Sequence, residues 1–113
     1  MVDSAALAAL AALDLRVGTV VEAWRAESTR TPAIRLAVDF GSPMGVKRSS
    51  AQITTHYRPE DLLGRQVVAA VNLPPKRIGT FTSEVLVLGL PDAAGAVVLL
   101  RPDRPVPNGG RVY

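Results

Sequence analysis

With 113 residues, 48% of them hydrophobic and 20% charged, the chain is long enough for one domain with a modest core and too short for two. It contains no cysteine, which excludes disulfides and thiolate metal sites, and no apolar run approaches the roughly 20 residues of a membrane-spanning helix. Thirteen basic residues against ten acidic ones leave a net charge of +3, and eleven of the thirteen are arginine, the side chain better suited to phosphate, carboxylate and stacked-base contacts.

Residues 3–13, DSAALAALAAL, predict a helix. Asp3 or Ser4 can cap it by accepting a backbone N–H, and alanine and leucine are the strongest helix formers. Leu7, Leu10 and Leu13 share a face, yet no charged residue occurs between Ala5 and Leu13. A helix apolar all round calls for cover on more than one side, and in so small a domain a second subunit is the expected cover. The N-terminus lacks the basic residues that open a secretory signal, so a cytoplasmic location without membrane insertion is expected.

From Leu15 the period changes to two. LRVGTVVEAW (15–24) predicts a first strand, with Gly18 marking a bulge or bend. In AIRLAVDF (33–40), Ile34, Leu36, Val38 and Phe40 alternate with Ala33, Arg35, Ala37 and Asp39, the pattern of a half-buried strand. VKRSSAQI (46–53) is a polar third strand, with Lys47, Ser49 and Ala51 on one side and Arg48, Ser50 and Gln52 on the other. TTHYRPEDLLG (54–64) predicts a turn and a short helix, with Pro59 in the first turn and Glu60 and Asp61 at its positive end. QVVAAVNL, EVLVLGL and AVVLLR complete five or six strands. The tail RPDRPVPNGGRVY carries Pro102, Pro105 and Pro107, which forbid helix and interior strand, so it is expected to lie extended on the surface. The organisation expected is one domain over 1–113: an N-terminal helix (1–13), a barrel (14–101) and the tail (102–113). Short strands with a helix between the third and fourth predict an all-β, five-stranded OB-fold barrel, a layout that binds oligonucleotides on one face.

The connection NLPPKRIGTFTSEVLVLG (72–89) is the strongest functional signal. It places Pro74, Pro75, the pair Lys76–Arg77 and an exposed Phe81 between two apolar strands, and loops on a rigid scaffold carry binding residues more often than strands do. Lys47–Arg48 is the other adjacent basic pair. Its members point to opposite faces, and Arg48 shares its face with Ser50 and Gln52. Gln52 has two readings, a ligand contact or a partner for a barrel-end backbone group. Asn72 has two as well, a ligand contact or a shaper of the turn. Phe81, Tyr57 and Trp24 are the available stacking groups, and a position so near a strand end suits Trp24 to the core. Glu84 suits the orienting of a basic side chain or the reading of a base amino group.

Catalysis finds little support. His56 is the single histidine, and there is no nucleophile-elbow motif, no cluster of metal ligands and no phosphate-cradling glycine motif. No cofactor is expected.

Three segments carry a family likeness: LDLRVGTVVEAW, the run FGSPMGVKRSSAQITTHYRPEDLLGRQVVAAVNLPPKRIGTFTSEVLVLG, and VVLLRPDRPVPNGG. Together they resemble the stand-alone CsaA-type branch of the tRNA-binding-domain family over about residues 13–110. The resemblance implies an OB-fold homodimer, a chaperone-like role in protein export that binds unfolded preproteins or peptides, and a retained tRNA-binding surface. The expected partners are thus preproteins, tRNA, the protein-export motor and a second copy of the chain. The resemblance also maps a binding face. Ser49, Ser50 and Gln52 would hydrogen-bond the ligand, Asn72 would meet base or backbone, Lys76 and Arg77 would meet phosphate or a stacked base, and Ser83 and Glu84 would line the same pocket. Arg48 and Phe81 complete the set from the face and stacking arguments above.

Overall fold

The structure is a computed structural model and describes residues 3–26 and 30–113. Residues 1 and 2 of the expected N-terminal helical segment lie outside the described residues. The elements run α1 (Ser4–Ala12), β1 (Leu15–Arg25), β2 (Ile34–Asp39), β3 (Val46–Ala51), α2 (Pro59–Leu62), β4 (Gln66–Ala70), β5 (Lys76–Ile78), β6 (Phe81–Ser83), β7 (Leu86–Val87), β8 (Gly89–Pro91) and β9 (Val97–Leu99).

The main sheet has the order β3-β2-β1-β4-β7, and each neighbouring pair is antiparallel. Its two ends meet through residues 83–85. The Glu84 N–H donates to the Arg48 carbonyl at 2.8 Å. The Arg48 N–H donates to Glu84 Oε1 at 3.0 Å, and the Ser50 N–H donates to Ser83 Oγ at 3.0 Å. Side chains thus occupy donors that an open strand edge would leave unpaired, and the sheet becomes a nearly closed five-stranded barrel. Ile34, Leu36, Val38, Phe40, Val20, Val67 and Leu62 fill its interior. Leu62 is supplied by α2, which has Pro59 at its start and Glu60 and Asp61 in its first turn.

The observed elements depart from the sequence-based expectation at several points, each with a local cause. The β1 register shifts between Val20 and Glu22, not at Gly18. Gly18 is instead a close-approach glycine, since a Cβ there would stand 2.6 Å from Val38 Cγ1 and 2.9 Å from the Asp39 carbonyl oxygen. The apolar run 84–90 splits in two: Leu86–Val87 pairs with β4 and Gly89–Pro91 with β9. At the split, a side chain on Gly89 would strike Val97 Cγ1 at 2.5 Å. Residues 76–83 form a two-stranded hairpin, β5–β6, where the sequence suggested a loop.

Helix α1 is capped by Asp3, whose carboxylate accepts the Ala6 N–H at 2.8 Å. It buries none of its side chains in the described chain, and Leu7 is 55% exposed. Its C-terminal end is fixed by long-range polar contacts. Asn72 Nδ2 donates to the Ala12 carbonyl at 2.7 Å, Asn72 Oδ1 accepts the Asp14 N–H at 2.9 Å, and Arg111 Nη2 donates to the Ala11 carbonyl. The tail lies extended and is bonded to the barrel. The Val17 and Gly110 backbones, Gly109 and Val17, and Val112 and Leu15 are joined by N–H···O bonds of 3.0, 2.8 and 2.8 Å. No helix among the described residues is long and apolar enough to cross a membrane.

Candidate nucleic-acid interface

Residues directly opposite on antiparallel strands share a face. The register Trp24↔Arg35↔Ser50, with Arg48 two residues before Ser50, therefore places Trp24, Arg35, Arg48 and Ser50 together on the outer face of β1–β3. The inward alternates Ile34, Leu36 and Ser49 are buried. Hairpin β5–β6 lies against this outer face through Phe81. The Arg35 guanidinium carbon lies 4.5 Å from the Phe81 ring centroid and that of Arg48 4.8 Å. Trp24 meets the same ring edge-on at 6.3 Å, and Arg48 also lies over the Trp24 ring at 5.4 Å. An arginine over an aromatic face is held by the ring quadrupole.

Between the hairpin and the ends of β2 and β3 runs a groove of about 920 Å³. Among the described residues, Arg30, Arg35, Lys76 and Arg77 contribute four cations to its lining, against the single carboxylate of Glu84; Leu73, Ile78 and Leu86 supply apolar patches. Arg77 is oriented by its Nε–H, which donates to the Gly79 carbonyl at 2.9 Å. Gly79 turns the hairpin with φ +62°, a conformation that favours glycine.

Of the residues singled out in the sequence, Ser50, Gln52, Lys76, Arg77, Ser83 and Glu84 all line this groove. Arg48 is exposed beside it, over Trp24 and Phe81. Three residues lie elsewhere. Ser49 is 1% exposed because strand alternation turns it into the barrel. Asn72 has both ends of its amide engaged with the α1–β1 junction. Phe81, which the sequence suggested was exposed, is 4% exposed, since two arginines and a tryptophan enclose it. Tyr57 is likewise buried, and its hydroxyl accepts the Leu99 N–H at 3.0 Å. The sequence reading missed Arg30 and Arg35. Arg35 was legible as a charged residue on the outward alternate of a half-buried strand. Nothing local in the sequence revealed that a hairpin more than forty residues later would build a groove beside it.

The sequence profile of the tRNA binding domain matches residues 15–111. The methionine–tRNA ligase of Methanothrix thermoacetophila is 45% identical over 98 residues, covering 87% of this chain and 14% of that protein; that of Porphyromonas gingivalis is 35% identical over 100 residues, covering 88% and 14%. The chain thus spans about one seventh of the length of these relatives. Among solved structures, the chaperone CsaA of Bacillus anthracis superposes with a TM-score of 0.87 at 53% identity, over 100% of this chain and 99% of that one. CsaA of Picrophilus torridus gives 0.87 at 38% identity over the whole of both chains. These matches are to a tRNA-binding domain and to chaperone-type structures. With its nearly closed barrel, its inter-strand helix and a cationic groove against the outer sheet face, the chain belongs to the tRNA-binding-domain family, and along its full length it is similar to the stand-alone CsaA proteins.

Proposed function

We propose that the chain binds tRNA in trans through the groove between the outer face of β2–β3 and hairpin β5–β6. The observation that carries this reading is the excess of positive charge in the groove, four cations to one carboxylate among the described residues, on a domain of the tRNA-binding family. Lys76, Arg77 and Arg48 contact backbone phosphates. Ser50, Gln52 and Ser83 offer hydrogen bonds, and Glu84 orients the strand edge to which it is bonded or accepts from a base amino group. Phosphate contacts position the ligand and dominate its affinity.

A second role for the same groove is favoured by its apolar side chains, of which Leu86 is 51% exposed. Extended segments of unfolded preproteins bind there reversibly, the export-related chaperone role suggested by the similarity to CsaA. The chain acts as a homodimer, with α1 supplying Leu7 and Leu10 to the interface.

A salt titration of fluorescence anisotropy with labelled tRNA, and an unfolded preprotein peptide as competitor, tests both roles. The expected result is binding that weakens steeply with salt and is displaced by the peptide. Absence of tRNA binding at low salt would retire the first reading, and failure of the peptide to displace bound tRNA would retire the shared groove.

A further inference from the structure

Arg35 and Arg48 reach the same aromatic ring from neighbouring strands. Neither forms a salt bridge among the described residues, where arginines 16, 58, 104 and 111 all do. Arg35 Nε is moreover buried with no hydrogen-bond partner among the described residues, on a side chain that lines the groove. Two positive groups held side by side repel each other, and a ring can hold both because each is attracted to its π-density. Arginine's planar fork keeps its remaining N–H donors available while the ring supports it. The matching ligand is an anion with several oxygens; on a nucleic acid that is the backbone phosphate.

We infer that Arg35, paired with Arg48 on the Phe81 ring, is a phosphate-binding residue of the groove. Phe81 serves as its positioning residue and does not stack a base. The inference rests on the tRNA-binding reading and deepens it. It also explains why the hairpin buries an aromatic residue that a base-stacking role would leave open. A similar contact, Arg65 over Tyr57 at 5.1 Å, lies outside the residues that line the groove and provides a control.

The test is a salt titration of tRNA binding by the full chain and four variants, with thermal melts confirming that each is folded. Arg35→Gln is expected to weaken binding about tenfold and to flatten the slope of log K against log salt by about 0.7–0.9, the value of one phosphate contact. Phe81→Leu keeps an apolar group but removes the ring. It is expected to weaken binding about threefold and to flatten the slope as well, whereas Phe81→Tyr restores both. Arg65→Gln is expected to leave the slope unchanged. If Phe81→Leu weakened binding at unchanged slope, base stacking would be its role and the positioning role would be overturned. An unaltered affinity and slope in Arg35→Gln, or an equal loss of slope in Arg65→Gln, would overturn the phosphate assignment while leaving the tRNA reading intact. If Arg35→Gln failed to fold, the Phe81 pair alone would decide. Absence of binding by the unaltered chain at low salt would remove the tRNA reading and this inference together.

Discussion

The guanidinium groups of Arg35 and Arg48 on the groove side lie over aromatic rings and meet no carboxylate among the described residues. Arg16 and Arg111 on the opposite, terminal side both bind Asp14, at 2.9 and 3.4 Å, and donate to the carbonyls of Gly109 and Ala11. Both sides carry exposed apolar groups: Leu73 and Leu86 at the groove, where Phe81 alone is enclosed by the arginines, and Leu7, Leu10, Val112 and Tyr113 on the terminal side. The difference teaches how to sort arginines in a basic chain. Where counter-charges and carbonyls saturate the guanidinium, the residue ties segments of the fold together. Where only a ring supports it, its donors remain available for an anion. The proposed roles divide along the same contrast, with tRNA and preprotein segments assigned to the groove and a second copy of the chain to the helix.

The largest expected effect comes from removing the hairpin's own cations. Lys76→Ala with Arg77→Ala should weaken tRNA binding about 100-fold and flatten the salt slope by roughly two contacts, with no change in molecular mass by light scattering. Unchanged tRNA affinity would show that the ligand surface lies elsewhere. On the terminal side, Leu7→Glu with Leu10→Glu should halve the measured mass, since each burial it prevents is worth about 1.5–3 kcal/mol, while tRNA affinity per groove is retained. A stable dimer in that variant would remove α1 from the interface.

Asn72→Ala sharpens the border between the two regions. The loss of two hydrogen bonds at the α1–β1 junction should cost about 1–2 kcal/mol of stability in a denaturant titration, with tRNA affinity preserved. Lost affinity at unchanged stability would move Asn72 back to the ligand. The smallest effect is expected at Asp92, which belongs to neither side. Its carboxylate accepts from His56 at 2.6 Å and from the Ala94 and Ala96 N–H groups. The hydrogen bond from His56, followed by that from Ala96, holds its pKa below the ordinary carboxylate value. A group depressed on folding stabilises above its unfolded pKa of about 3.9, and loses that contribution as pH falls through the lower folded value. Asp92→Asn should therefore melt earlier than the unaltered chain at neutral pH, with the gap closing in acid. A constant gap across that range would exclude an ionic contribution.

Much of the architecture was legible from local pattern. Alternation in 33–40 marked the inner face, because Ile34, Leu36 and Val38 had to leave water together. Pro59 with Glu60 and Asp61 announced α2, because a helix start needs no N–H at its first position and favours negative charge. The Lys76–Arg77 pair between two strands marked the groove's outer wall. Strand alternation likewise told Arg48, Ser50 and Gln52 from Ser49.

Long-range pairing determined what local pattern could not. Whether Phe81 faces water depends on where hairpin β5–β6 lands, and it lands on β2–β3, 25 or more residues earlier in the chain. The role of Arg35 follows from that landing. The amide of Asn72 is chemically suited to a base or to a helix end, and the arrival of Ala12 and Asp14 beside it gave it the second task. The sequence by itself determined which faces are apolar, where helices begin and where positive charge concentrates, because these follow from neighbours within a few residues. Only the tertiary structure decided which arginines are saturated and which remain available to a ligand, because a guanidinium's partners are chosen by packing between distant segments.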